Sequence, residues 1–223
     1  MINLLPNVIH MKDQFITATW ETIYMTFLSA IIAGVIGLAL GVLLVVSQKH
    51  GILEDSIIYS FTDKTVNVLR SIPFIILLAV IAPLTNYIVG TTIGTTAALV
   101  PLIFGIFPFY ARQVQNALLE IDPGFVEAAQ SMGSSPIEII FSVYLREGLP
   151  DIIRASTFTV ISLVSLTTVA GAIGAGGLGD VAISIGYARF EGDVTVVAML
   201  IILVLIFAIQ IIGDRLAKHF EQF

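Results

Sequence analysis

No aspartate, glutamate, lysine or arginine occurs in residues 22–48, 71–111, 155–179 or 194–213. A helix needs about 20 predominantly apolar residues to cross the hydrocarbon core of a bilayer, so three of these charge-free runs fit one crossing each. The second run is 41 residues long (71 through 111) and is interrupted by "APLTNYIVGTT", where Pro83, Asn86 and Gly90 are turn formers. It reads as two crossings joined by a short loop. The expected fold class is an all-α membrane protein with five transmembrane helices, near 20–46, 66–84, 93–114, 153–172 and 194–213. Composition agrees, because 57% of the 223 residues are hydrophobic and 12% charged, against about a quarter charged in a soluble domain.

Five crossings put the two ends on opposite sides. With the N-terminus outside, the inner segments hold Lys49, Lys64, Arg70, Arg112, Arg146, Arg154, Arg215 and Lys218, and the outer ones only Lys12 and Arg189. That is the positive-inside bias. The expectation is an outer segment 1–17, a transmembrane domain 18–215 and a cytoplasmic tail 216–223. The net charge of −6 says little, because in a membrane chain the position of each charge matters.

The stretch 174–180, "GAGGLGD", contains G-x-G-x-x-G in Gly174, Gly176 and Gly179. A dinucleotide-binding loop also needs a preceding strand and an acidic residue about 20 positions on. Here the stretch follows the fourth span, on the outer side, so the nucleotide reading fails. Glycines instead suit irregular backbone packed closely at the end of a span. Gly174, Gly176, Gly177 and Gly179 are therefore residues for packing or a gate, with a plain outer turn as the alternative.

The inner segment 121–148 is fully punctuated. Asp122 is a natural N-cap with Pro123 at the first helical position, and Gly133 can close that helix in a left-handed conformation. Ser135-Pro136-Ile137-Glu138 is a capping box that opens a second helix, to about Glu147, with Gly148 as its stop and Pro150 leading into the fourth span. A loop of this length and order reads as a rigid docking element.

"EAAQSMG" at 127–133 resembles the E-A-A-x-x-x-G signature of ABC importer permeases. In that family the short helix that follows inserts into a groove on a cytosolic ATPase. The family pattern continues with I-x-L-P; this chain has Val143 and Leu145, then Arg146 in the proline's place, with Leu149-Pro150 a few residues later. "NVLRSIPFIILL" (67–78), "AVIAPLT" and "GAIGAGGLGDVAISIGYARFEGDV" are similar to the methionine-uptake permeases of the ABC importers, over about residues 18–215. The resemblance implies docking and coupling through Glu127, Ala128, Ala129, Gly133, Ser135 and Pro136. It also implies a homodimer in the cytoplasmic (inner) membrane of a bacterium, two copies of an ABC ATPase subunit, and an external methionine-binding protein. Glycine betaine or another small solute carried by the same machinery is the alternative, followed by an ATPase-independent carrier.

The chain has no G-x-x-x-x-G-K-[ST], so ATP would be hydrolysed by a partner and the chain itself is expected not to be an enzyme. His10, His50 and His219 lack metal-ligand spacing and there is no cysteine, so neither a metal nor another cofactor is expected. No basic, aromatic-rich surface for nucleic acid is present. The span interiors lack the ionisable groups of a proton relay. The expected path is lined by small and hydroxyl groups, among them Ser29, Ser162, Ser165, Thr167 and Thr168.

Overall fold

The computed structural model describes residues 6–221, and all regular structure among them is helical. The helices are α1 (Pro6–His10), α2 (Lys12–Ser47), α3 (Ser56–Ser71), α4 (Phe74–Val89), α5 (Thr95–Leu119), α6 (Pro123–Ser131), α7 (136–147), α8 (Leu149–Ala170), α9 (177–187) and α10 (Gly192–Phe220). Helices α7 and α9 contain wider π-turns, at Ile140–Tyr144 and Val181–Tyr187. Residues 1–5 of the expected outer segment and 222–223 of the expected tail lie outside the described residues.

Among the described residues, four helical stretches are long and apolar enough to cross a membrane: Lys12–Ser47, Thr95–Leu119, Leu149–Ala175 and Gly192–Phe220. They overlie the expected spans 20–46, 93–114, 153–172 and 194–213. The remaining expectation, a span at 66–84, is corrected: α3 ends at Ser71 and α4 begins at Phe74, with Ile72 and Pro73 outside both helices. Pro73 is the cause. Its ring disfavours a helical Ile72, and Pro73 itself is extended at φ −56, ψ 133. The loop assigned to Pro83, Asn86 and Gly90 is corrected too, since Pro83 and Asn86 lie within α4. Only Gly90, at φ +81, leaves the helix, and its N–H closes the last turn on the Asn86 carbonyl at 2.8 Å. An apolar helix tolerates an internal proline when its surroundings satisfy the freed backbone.

The polar residues of the long helices are largely satisfied within them. The hydroxyls of Thr17, Thr19, Thr22, Ser47, Ser156, Thr157 and Thr159 each donate to the carbonyl four residues back, which hides the hydroxyl from an apolar setting.

The chain forms two compact units: Met1–Ile32, Ile72–Gly105 and Val160–Ile209 in the first, Ala33–Ser71, Ile106–Thr159 and Gln210–Phe223 in the second. In the first, Phe15 and Ala18 of α2 pack with Leu178, Val181, Ala182 and Ile185 of α9 and Val194 and Ala198 of α10. In the second, Gly37 and Gly41 let α2 lie directly against α5. A Cβ at Gly37 would fall 2.7 Å from Tyr110 Cδ1, and one at Gly41 2.6 Å from Val114 Cβ. Small residues four apart serve helix pairs that associate by close packing.

Candidate functional site

The segment 121–148 is built within the second unit as two capped helices. Asp122 Oδ1 accepts the Gly124 N–H at 2.8 Å, with Pro123 at the first position of α6. At its end Gly133 stands at φ +81. Its N–H donates to the Gln130 carbonyl at 3.0 Å, and the Ser134 N–H reaches back to the Ala129 carbonyl at 3.1 Å. This pair of bonds is the Schellman closure. Helix α7 then opens on a reciprocal box: the Ser135 N–H donates to Glu138 Oε2 at 2.7 Å and the Glu138 N–H to Ser135 Oγ at 3.4 Å. Hydrogen bonds from the Ser135 backbone and side chain hold the Glu138 carboxyl below its usual range.

One side of this elbow is anchored. Ala129, Ile139, Val143 and Tyr144 are buried against Val45, Val46, Tyr110, Val114, Ala117, Leu118 and Ile152. Gly148, the stop of α7, is buried; a Cβ there would lie 2.8 Å from Leu118 Cδ2. The other side is apolar yet open, with Phe125 54%, Met132 79%, Ile137 67% and Phe141 67% exposed. An exposed apolar set on a rigid, anchored element marks an interaction surface. Of the residues singled out for docking, Glu127, Ala128, Gly133 and Ser135 are exposed, Pro136 is half-buried and Ala129 is in the core. The motif did not point to Phe125, Met132, Ile137 or Phe141. The available signal was α7 itself, apolar around nearly its whole circumference in a segment too short to span a membrane.

The glycine-rich turn belongs to the first unit. After α8 the chain winds through Gly171–Ala175, where Ile173 and Gly174 leave helical geometry and Gly174 stands at φ +100. Gly176 and Gly177 follow at φ +82 and +77. The Gly94 N–H donates to the Gly174 carbonyl at 3.0 Å. Gly179 packs backbone to backbone, and a Cβ there would lie 2.6 Å from Thr168 Cα. Gly179 is thus a packing residue, while Gly174, Gly176 and Gly177 shape the turn. A cavity of about 40 Å³ beside it, lined in part by Thr85, Ala98, Ala170 and Ala175, is water-sized.

Arg112 is tied into the protein: Nη2 binds Asp63 Oδ1 at 2.6 Å and Asn67 Oδ1 at 3.0 Å, and Nη1 binds Gln115 Oε1 at 2.5 Å. It fastens α3 to α5. The five hydroxyls expected along the path have unlike surroundings. Ser165 is exposed and Ser162 half-buried, Thr167 and Thr168 donate to the Val164 carbonyl, and Ser29 is fully buried without a hydrogen-bond partner.

Apolar helices of membrane-crossing length, joined to a capped elbow with an open apolar face, define a multi-helix membrane protein. The signature described as "Binding-protein-dependent transport system inner membrane component" matches residues 51–223, and the chain belongs to that family. It is 45% identical over 211 residues to the probable D-methionine transport system permease protein MetI of Vibrio cholerae, covering 95% of this chain and 94% of that one. It is 47% identical to the methionine import system permease protein MetP of Bacillus subtilis, over 92% of each chain. Among solved structures it matches a chain of the MetNI methionine ABC transporter in inward-facing conformations. The TM-score is 0.92 and the identity 43%, over 94% of this chain and 97% of that one.

Proposed function

We infer that the chain is the membrane-spanning permease subunit of an ATP-driven importer for methionine, with ATP hydrolysed by a separate subunit. The observation that carries this reading is the match to the methionine transporter chain over nearly the full length. The partners are two ABC ATPase subunits, a second copy of the chain and an external methionine-binding protein. The N-terminus faces outside, the C-terminus faces the cytoplasm, and α3 with α4 supplies the fifth, broken span.

The mechanism follows from the elbow. Its inner face is fixed to α2, α5 and α8 by the core around Ile139 and Val143. A push on Phe125, Met132, Ile137 and Phe141 is therefore passed to the membrane helices rather than absorbed. Closure of the ATPases draws the two elbows of a dimer together and turns an inward-open path outward. Glu127, Ala128, Gly133, Ser135 and Pro136 shape and present this contact, and Ala129 roots it. The path is formed by two copies, and the glycine turn, through Gly174, Gly176 and Gly177, acts at its outer gate.

The reading is tested by uptake of labelled methionine in cells lacking the chain and in cells given it back. Restored uptake that unlabelled methionine competes away, and glycine betaine does not, is the expected outcome. Competition by glycine betaine instead moves the same machinery to another solute.

A further inference from the structure

Two neighbouring residues of α2 hold the start of α9, 156 positions away. The Gly177 N–H donates to Glu21 Oε2 at 2.7 Å and the Leu178 N–H to Thr22 Oγ1 at 2.9 Å. The Thr22 hydroxyl in turn donates to the Ala18 carbonyl at 2.9 Å, so it is locked as an acceptor toward Leu178. The first amides of a helix have no partner within it and sit at the positive end of its dipole. A carboxylate is their strongest acceptor.

The turn is shaped for this contact. At Gly176 and Gly177 the backbone is left-handed, and added Cβ atoms would stand 2.8 Å from Glu21 Oε2 and 2.8 Å from Thr22 Oγ1. Glycine there brings bare backbone up to the two side chains. None of the ion pairs among the described residues includes Glu21. Its charge lies near one end of a long apolar helix and is answered by a backbone amide. An ionisable group in such a place marks function more often than packing. The turn's other hold shown here, Gly94 on Gly174, is a single bond between uncharged groups. The Glu21 bond is the stronger of the two.

We propose that Glu21 is a positioning residue for transport: its carboxylate latches the glycine-rich turn to α2, and its release is a step in opening the turn outward. The inference rests on the outer placement and gating role given to that turn above. Moving the turn away from α2 strips the Gly177 and Leu178 amides of their acceptors. In a water-poor setting that movement is costly unless the ATPases drive it. Without the latch the turn opens without being driven, so ATP is spent without solute.

The test uses the assembled transporter with its ATPase and binding protein, and exploits the absence of cysteine from the chain. Ala175, buried in the turn, becomes the reporter as Ala175→Cys, probed on intact cells with a membrane-impermeant maleimide. Arg189→Cys serves as the orientation control. Slow labelling at 175 is expected with Glu21 present. It should rise at least ~10-fold in Glu21→Ala, since a hydrogen bond to a charged group is worth about 1.5 kcal/mol or more, and by less in Glu21→Gln, which keeps an acceptor oxygen. Methionine imported per ATP hydrolysed should fall in the same order, with Gln partly rescuing Ala. A clasp that merely aids folding would lower the amount of assembled transporter. Equal labelling rates and equal methionine per ATP in the assembled variants would overturn the latch. Should Glu21→Ala fail to assemble, Glu21→Gln carries the same comparison. If position 189 is labelled only in inverted vesicles, whatever stands at 21, the outer placement falls and the latch with it.

Discussion

At Gly133 the backbone stands at φ +81, and an added Cβ would meet no heavy atom within 4 Å. Backbone conformation, not space, sets what the position accepts. A β-branched residue there costs about 1–2 kcal/mol of left-handed strain, whereas asparagine visits that region readily. Gly133→Val should therefore insert and dimerise but lose transport and ATPase association or stimulation, because α7 tilts when the closure on Gln130 and Ala129 is lost. Gly133→Asn should keep most of both. Uptake and co-purification of the two variants check this, and equal loss in both would show that bulk rather than φ matters. At Glu138, the lowered carboxyl makes the capping box stabilising above the ordinary carboxylate pKa, and that support is lost as pH falls through the lowered value.

The element with most to explain is α7, which buries Ile139, Val143 and Tyr144 on one side and exposes Ile137 and Phe141 on the other. Changing the exposed pair to Ile137→Asp and Phe141→Asp leaves the core untouched. Anchors of an interface are each worth about 2 kcal/mol or more. The double variant should therefore bind its ATPase at least ~100-fold more weakly while folding normally in the membrane. Unchanged affinity by co-purification or surface binding would leave that face without a role. The caps of α6 and α7 were legible in the sequence, because Asp122, Gly133, Ser135 and Glu138 act within a few residues of themselves. The break at Pro73 was not, since absence of charge reports hydropathy and not backbone geometry. Pro83 and Asn86 were misread for the converse reason: their preference for turns is outweighed inside an apolar helix. The hold of Glu21 on Gly177 was invisible, because nothing local ties two residues 156 positions apart.

For the whole molecule, apolar helices of crossing length were legible as charge-free runs, and the family was carried by "EAAQSMG". The bias of lysine and arginine is the basis of the proposed orientation, with the N-terminus outside. Accordingly, Arg189→Cys should react with an impermeant reagent from outside intact cells and Gln130→Cys should not; the reverse pattern would invert the topology. The proposed transport depends on a division of labour, in which this chain forms the path and another subunit hydrolyses ATP. Proteoliposomes holding the chain alone, or with its ATPase and binding protein, test that directly. Methionine should enter only in the complete assembly, with ATP on the side that bears the elbow, while the lone chain neither binds nor hydrolyses ATP. Methionine uptake by the lone chain, or specific nucleotide binding to it, would contradict the account.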